Sequence, residues 1–238
     1  MRVFHRPTAA ASARVRVRRH ADRARYDTET IREILDGALI CHIGVIVDGA
    51  PVVLPTGFGR IGDTLYLHGA TSNSHLAAAL HGVCITATHV DGLVLARSAS
   101  GHSMNFRSAV VMGRGRPVTD PAEKRAALRA VVEHAIPGRW TETRQPSDQE
   151  IEGTAVVAVE LTEASAKVRT GPPMDSASDQ ALPWWAGEVP LRLVAGAPLE
   201  DPQLAAGIPE PDSVAAFRRR FAAADGAGDA ARSPRSGE

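Results

Sequence analysis

Three Asp-Gly or Gly-Asp pairs, Asp48-Gly49, Gly62-Asp63 and Asp91-Gly92, each separate short runs rich in β-branched residues. A two-residue turn of that kind joins neighbouring antiparallel strands, so the middle of the chain is predicted to be a β-meander. The runs are residues 40–47, 52–58, 65–68, 83–89 and 93–97, with further strands expected at 108–118, 154–161 and 165–169. That many short strands in succession can curl into a barrel. The apolar stretch 50–59, with Pro51 and Pro55, is expected to pair with Tyr66–His68 across residues 61–64. Two helices interrupt the strands. Asp27 caps one that carries Ile31, Ile34 and Leu35 on a single face, with Gly37 after it. Asp120-Pro121 with Glu123 starts the other, with Leu128, Val131, Val132 and Ile136 inward and Pro137-Gly138 at its end. The fold class is therefore mainly β, of α+β type, with a few short helices.

The 238 residues are 44% hydrophobic, enough to bury one substantial core, yet both ends are compositionally odd. Eight arginines stand against Asp22 alone in the first 25 residues, a composition superficially like a transit peptide but with no apolar segment for secretion. The chain is divided into a flexible Arg-rich arm, 1–17, a single domain, 18–211, and a disordered Ala/Gly/Arg/Ser tail, 212–238. Lysine plus arginine equals aspartate plus glutamate at 27 each, which gives no reason to expect nucleic acid or an anionic membrane as partner. No run approaches the roughly 18 apolar residues of a membrane span. Cys41 and Cys84 lie in apolar β-like runs without metal-type spacing, which suggests buried thiols in a reducing compartment, with a disulfide between them left open. The expected location is cytoplasmic and the expected ligand a small molecule.

The stretch Tyr66-Leu67-His68-Gly69-Ala70-Thr71-Ser72-Asn73-Ser74-His75-Leu76 carries the chemistry. A strand that passes through four hydroxyl or amide residues into a helix over residues 76–81 offers unpaired backbone N–H groups, the positive end of a helix dipole and side-chain donors to an anion such as phosphate. The plainer alternative is that Ser72 or Ser74 only caps that helix. A glycine-rich dinucleotide fingerprint and a Walker-type loop are both absent, so the two commonest nucleotide-binding architectures are excluded. Six of the nine histidines, His42, His68, His75, His81, His89 and His102, fall close together in sequence, but no His-x-x-x-His pair with a third ligand accompanies them, and no metal site is assigned. Lys167 and Arg169 share one strand face and are expected to hold an ion pair or an anionic substrate.

Taken together, Val53-Leu54-Pro55-Thr56, Tyr66-Leu67-His68-Gly69-Ala70, Ser103-Met104-Asn105-Phe106-Arg107-Ser108, Pro137-Gly138-Arg139-Trp140, the stretch Lys167 to Pro173 and Trp184-Trp185-Ala186-Gly187 resemble the pyridoxamine-phosphate-oxidase-like split-barrel family. Within that family the likeness is to the branch related to Nim-type nitroimidazole reductases, and it covers about residues 18–205. It implies a homodimeric split β-barrel with flavin mononucleotide (FMN) at the subunit interface. Carried onto this chain, Val53, Leu54, Pro55 and Thr56 would line the ring, and His68, Gly69, Ala70, Thr71, Asn73, Ser74 and His75 would reach ribityl and phosphate. Ser103, Asn105, Phe106 and Arg107 would approach from the other subunit. His68 matches a histidine near the flavin and is the candidate catalytic group, a structural hydrogen bond being its alternative role.

The implied activity is that of an FMN-dependent oxidoreductase acting on a small molecule, nitroaromatic reduction being the most specific form. Alternatives are a non-catalytic flavin or haem carrier or sensor, and a reductase that uses a deazaflavin. Relatives commonly place Lys or Arg in the phosphate turn where this chain has Ser74-His75, so Arg107 or His75 is expected to supply the missing charge. Trp184 or Trp185 is expected either to cover the flavin or to pack at the dimer interface.

Overall fold

The computed structural model describes residues 9–222. In chain order its elements are β1 (Ala24–Arg25), α1 (Thr28–Gly37), β2 (Cys41–Val47), β3 (Ala50–Thr56), β4 (Phe58–Ile61), β5 (Thr64–Ala70), α2 (Ser74–Ala79), β6 (Val83–Leu95) and β7 (Ser103–Gly113). There follow β8 (Arg116–Pro117), α3 (Pro121–Ala135), α4 (Asp148–Glu152), β9 (Thr154–Glu160), β10 (Glu163–Arg169), α5 (Ala177–Gln180), β11 (Gly187–Pro190) and α6 (Asp212–Arg220). The strands form two antiparallel sheets, one in the order β1-β10-β7-β6-β2-β3 with β11 also on β6, the other β4-β5-β9-β8. This is the expected split β-barrel with short helices.

Hydrophobic burial explains why the sheets close on each other. Leu35 from α1, Ile43 from β2, Leu65 and Leu67 from β5, Ile85 from β6, Val111 from β7 and Val159 from β9 belong to one buried cluster between the sheets. A smaller cluster, Tyr66, Val118, Ala127, Val156 and Ala158, lies on the opposite face of the second sheet, under α3. Gly59 lets α3 come that close, because a Cβ there would lie 2.5 Å from the backbone nitrogen of Val131. Both long helices start as expected. Asp27 accepts from the backbone N–H of Thr30 at 2.8 Å, and Asp120 from that of Glu123 at 2.8 Å.

The strand map departs from expectation where long-range contacts override local pattern. Asp48 and Gly49 both have positive φ, 51° and 78°, and make the tight turn that joins β2 to β3. Asp91-Gly92 makes no turn: β6 runs through it as a 13-residue strand with a bulge between Val90 and Gly92. On one edge β7 pairs along nearly all of it, while on the other β2 takes Cys84–Thr86 and β11 takes Gly92–Leu95. A Cβ at Gly92 would lie 2.9 Å from the carbonyl oxygen of Val189, so glycine admits β11 there rather than a turn. The stretch expected as one strand, 52–58, breaks at Gly57 and changes sheet: β3 pairs with β2, while β4 is the segment that pairs with β5. The strand expected at 108–118 begins earlier, at Ser103, and breaks after Gly113 before β8.

At the ends, Val15 of the expected arm is buried and the Val17 N–H donates to the Tyr26 hydroxyl. Residues 212–220 of the expected tail form α6, whose Ser213 hydrogen bonds to Glu142. The remaining parts of the arm and tail, 1–8 and 223–238, lie outside the described residues. Both cysteines are free. Burial pushes the Cys41 thiol up to about 12, which makes it an unreactive core group. No described helix is long and apolar enough to cross a membrane.

Candidate functional site

The change of sheet at Gly57 creates the seam on which most of the predicted residues converge. Phe58 pairs with Leu67, so the chain leaves the second sheet at Gly57 just where β5 runs on into His68. Leu54, Pro55 and Thr56 thus stand at the end of β3, two to four residues before Phe58, and pair with Ile43, His42 and Cys41 in the first sheet. Nothing lies within 4 Å of a Cβ built on Gly57, so the seam is open at that point. Gly69 is crowded instead: a Cβ there would lie 3.0 Å from Asn73 Nδ2 and 3.1 Å from Leu76 Cδ1, so the turn packs tightly on itself.

The turn's own hydrogen bonds refine the expected anion site. The cap of α2 is Asn73, not Ser72 or Ser74, and its Oδ1 accepts from the backbone N–H groups of His75, at 3.0 Å, and Leu76, at 3.2 Å. An asparagine can take both because its side chain reaches two N–H groups of the first turn. Side chains are among the donors left free: Thr71, Ser72 and Ser74 are exposed, and their hydroxyls bond to nothing among the described residues. The turn thus offers hydroxyls and no fixed cation.

His68 is half-buried, and its Nδ1 is enclosed without any hydrogen-bond partner. It pairs directly with Val156, so it shares the face of Tyr66 and Val156 rather than the barrel interior of Leu65 and Leu67. Burial lowers its pKa and keeps the ring neutral at pH 7. An enclosed polar nitrogen without a partner is costly, and the structural hydrogen bond considered for His68 is absent among the described residues.

The β7 residues lie elsewhere. Pro55 pairs with His42, His42 with Thr86 and Thr86 with Val110, so β7 is three strands from β3, and Arg107 lies three residues further along. Strand spacing alone separates the two sets by roughly 15 Å within one chain. Arg107 is engaged there by Asp91, donating through Nε at 2.9 Å and Nη2 at 2.8 Å, so its charge is already balanced in its own chain. Asn105 is buried and joins a second network: it donates to Glu188 and accepts from Arg169, whose guanidinium also donates to the carbonyls of Gly171 at 3.0 Å and Pro172 at 3.2 Å. Arg169's partner is thus an amide and two carbonyls rather than the carboxylate expected from sequence. Ser103 and Phe106 are half-buried on the same strand. Trp184 and Trp185 are 64% and 59% exposed.

Sequence reasoning missed the segment that follows the barrel. Residues 191–193 and 220–222 wall a cavity of about 780 Å³ against the end of α1 and the strands β6 and β7. Its only advance signal was the Trp184-Trp185 pair, because the segment has no apolar periodicity.

Residues 27–168 match the family model described as pyridoxamine 5'-phosphate oxidase. The chain belongs to this family. Among solved structures it is similar to the flavocytochrome Anf3 of Azotobacter vinelandii, at 41% identity over 90% of this chain and 99% of that one, with a TM-score of 0.84. It is similar to a FAD and heme binding protein of Mycobacterium smegmatis, at 35% identity over 84% of this chain and 97% of that one, TM-score 0.78. A Bacteroides thetaiotaomicron protein assigned to 5-nitroimidazole antibiotic resistance aligns at 28% identity over 61% of this chain and 86% of that one, TM-score 0.53. No curated protein matches the sequence.

Proposed function

We propose that this protein is a homodimeric flavin-binding redox protein of the pyridoxamine 5'-phosphate oxidase family, acting in the cytoplasm, with the flavin along the seam between residues 53–56 and the 68–75 turn. The observation that carries the reading is the meeting of an open seam, an enclosed unpartnered His68 Nδ1 and a turn of free hydroxyls in one place. Residues 103–107 would complete the site from the second subunit, since they lie too far from the seam within one chain.

The turn fits a phosphate held by neutral donors. A phosphomonoester such as FMN's carries nearly two charges at pH 7, whereas each phosphorus of a FAD diphosphate carries one, so a turn without Lys or Arg favours FAD. The name of the relative at 35% identity, a FAD and heme binding protein, agrees in direction, and that of the relative at 41% says only flavocytochrome. A bound flavin supplies hydride or single-electron transfer. Leu54 and Pro55 would exclude water from the ring, and Thr71 and Ser74 would donate to phosphate oxygens. His68, neutral, would hold or give one proton at the ring's edge. Nitroaromatic reduction remains the most specific activity, supported by the 28% identical relative.

Haem is a second reading, favoured by one observation. The two relatives with haem in their description or type align with 84–90% of this chain, against 61% for the nitroimidazole-resistance relative, so their likeness extends beyond the barrel. His68 offers an enclosed imidazole nitrogen without a partner.

Titrating the cofactor-stripped protein with FAD and with FMN tests the flavin reading. FAD is expected to bind more tightly, and Thr71→Val with Ser74→Ala to weaken it about tenfold or more, as two hydrogen bonds to a charged oxygen are lost. Binding of neither flavin would contradict the reading and open the deazaflavin alternative. Addition of haemin is expected to give a Soret band that His68→Ala removes; its absence would end the haem reading alone.

A further inference from the structure

We propose that the cavity closed by the C-terminal segment is a second ligand site, for a small apolar acid: a molecule with an aromatic or aliphatic body and one carboxylate, sulfonate or phosphate head. The cavity, about 780 Å³, lies within the size range of small-molecule sites. Three arginines, Arg107, Arg192 and Arg220, line it against the single carboxylate of Asp91, a local positive excess on a chain whose formal net charge is zero. The Asp91 carboxylate is spent on Arg107. Arg220 donates only to a carbonyl, that of Asp36, at 2.9 Å, and Arg192 has no partner among the described residues. Two guanidiniums therefore stand without a counter-charge at one cavity.

The other walls are apolar and under-covered. Ile40, Val90, Leu191 and Leu193 are 49%, 46%, 44% and 65% exposed, and the Phe221 ring stands beside them. An apolar body set against these side chains would be drawn from water, while its head group meets guanidinium donors suited to a planar oxyanion. An exposed ion pair alone is worth little, so both features are needed for useful affinity.

The walls are fastened to one another, which makes the cavity a built feature. The Leu191 N–H donates to the Asp91 carbonyl at 3.0 Å, and the Ala195 N–H to the Phe221 carbonyl at 2.9 Å. His89, also on the lining, is held by the Ile34 carbonyl at 2.9 Å. None of the seam residues 53–56 or 68–75 lines this cavity; Arg107, which the flavin reading brings to the partner's seam, does, so the head-group site rests on Arg192 and Arg220.

Calorimetric titration of the full-length protein with 8-anilinonaphthalene-1-sulfonate, and with its neutral analogue N-phenyl-1-naphthylamine, tests the site. The sulfonate is expected to bind once per chain, at least tenfold more tightly than the neutral compound, and to do so in saturating FAD. Arg192→Glu, at an exposed side chain, is expected to weaken the sulfonate about tenfold, Arg192→Lys much less, and Arg129→Glu on α3 not at all. Equal affinity for the two compounds, displacement by FAD, or no response to Arg192→Glu would each overturn the proposal.

Discussion

The barrel and the segment that follows it are held by different forces. Within the barrel, Phe58, Leu65, Leu67, Ile85 and Val159 have almost no contact with solvent. Beyond it, Met174 is 86% and Leu199 96% exposed, and the attachments are polar: Arg97 with Asp175, Arg169 with the carbonyls of Gly171 and Pro172, Asn105 with Glu188, and the backbone ladder of β11 on β6. A core formed by burial is non-directional and cooperative, so it resists local opening. A segment held by a few directional contacts opens locally at lower cost. The lesson is that the seam borders a rigid core, whereas the cavity walled by residues 191–193 depends on a segment that can detach.

The largest test of that contrast is Phe58→Ala. It should cost about 3–5 kcal/mol of global stability, measured by denaturant unfolding, since it empties a fully enclosed ring site beside His134. A loss under about 1 kcal/mol would mean that the barrel core is not packed as described.

Asp175→Ala should act locally. The Asp175 carboxylate accepts from the Arg97 backbone N–H at 3.2 Å and from its guanidinium at 2.8 Å, and its side chain is almost fully enclosed. Leaving Arg97 unpaired should cost about 1–3 kcal/mol, read as faster proteolytic cleavage within residues 170–195 while the barrel's unfolding midpoint moves little. Equal shifts in both would show that the two regions unfold as one unit.

A smaller effect separates them by pH. Burial holds the pKa values of His68 and His134 below the ordinary histidine value of 6.5. Below 6.5 the unfolded chain takes up protons that the folded barrel refuses, so stability should fall as pH drops from about 6.5 toward the folded pKa values. His134→Gln, which keeps a donor for the Ala38 carbonyl, should flatten that slope. An unchanged slope in thermal melts between pH 7.5 and 5.5 would locate the acid sensitivity elsewhere. Smallest of all, Arg32→Ala should change stability by less than about 0.5 kcal/mol, because its pair with Asp63 is exposed on both sides.

How far the sequence could be read is clearest from two identical dipeptides. Asp48-Gly49 and Asp91-Gly92 carry the same local signal, and only the first is a turn. The second is drawn into a strand because Val189 and Pro190, far along the chain, approach its glycine, and no local pattern encodes that. The helices capped by Asp27 and Asp120 were legible because their signals are contained within four residues. In the seam, the residue types of the 68–75 turn were readable, but Asn73 as the cap was not: serine and asparagine are near-equal caps, and side-chain reach decides between them. For Arg169 the sequence supports an ion pair or an anionic substrate, since it shows which charges share a face but not that an amide and two carbonyls will be the nearer partners.

The central claim is that the seam between β3 and β5 holds a flavin. It is tested most directly by the absorption spectrum of the freshly purified full-length protein, with mass spectrometry of whatever small molecule is released on denaturation. The expected result is a flavin spectrum with FAD released, and a reduced yield of it from the Thr71→Val, Ser74→Ala double variant. A protein that carries no flavin and takes up neither FAD nor FMN when they are supplied would contradict the account.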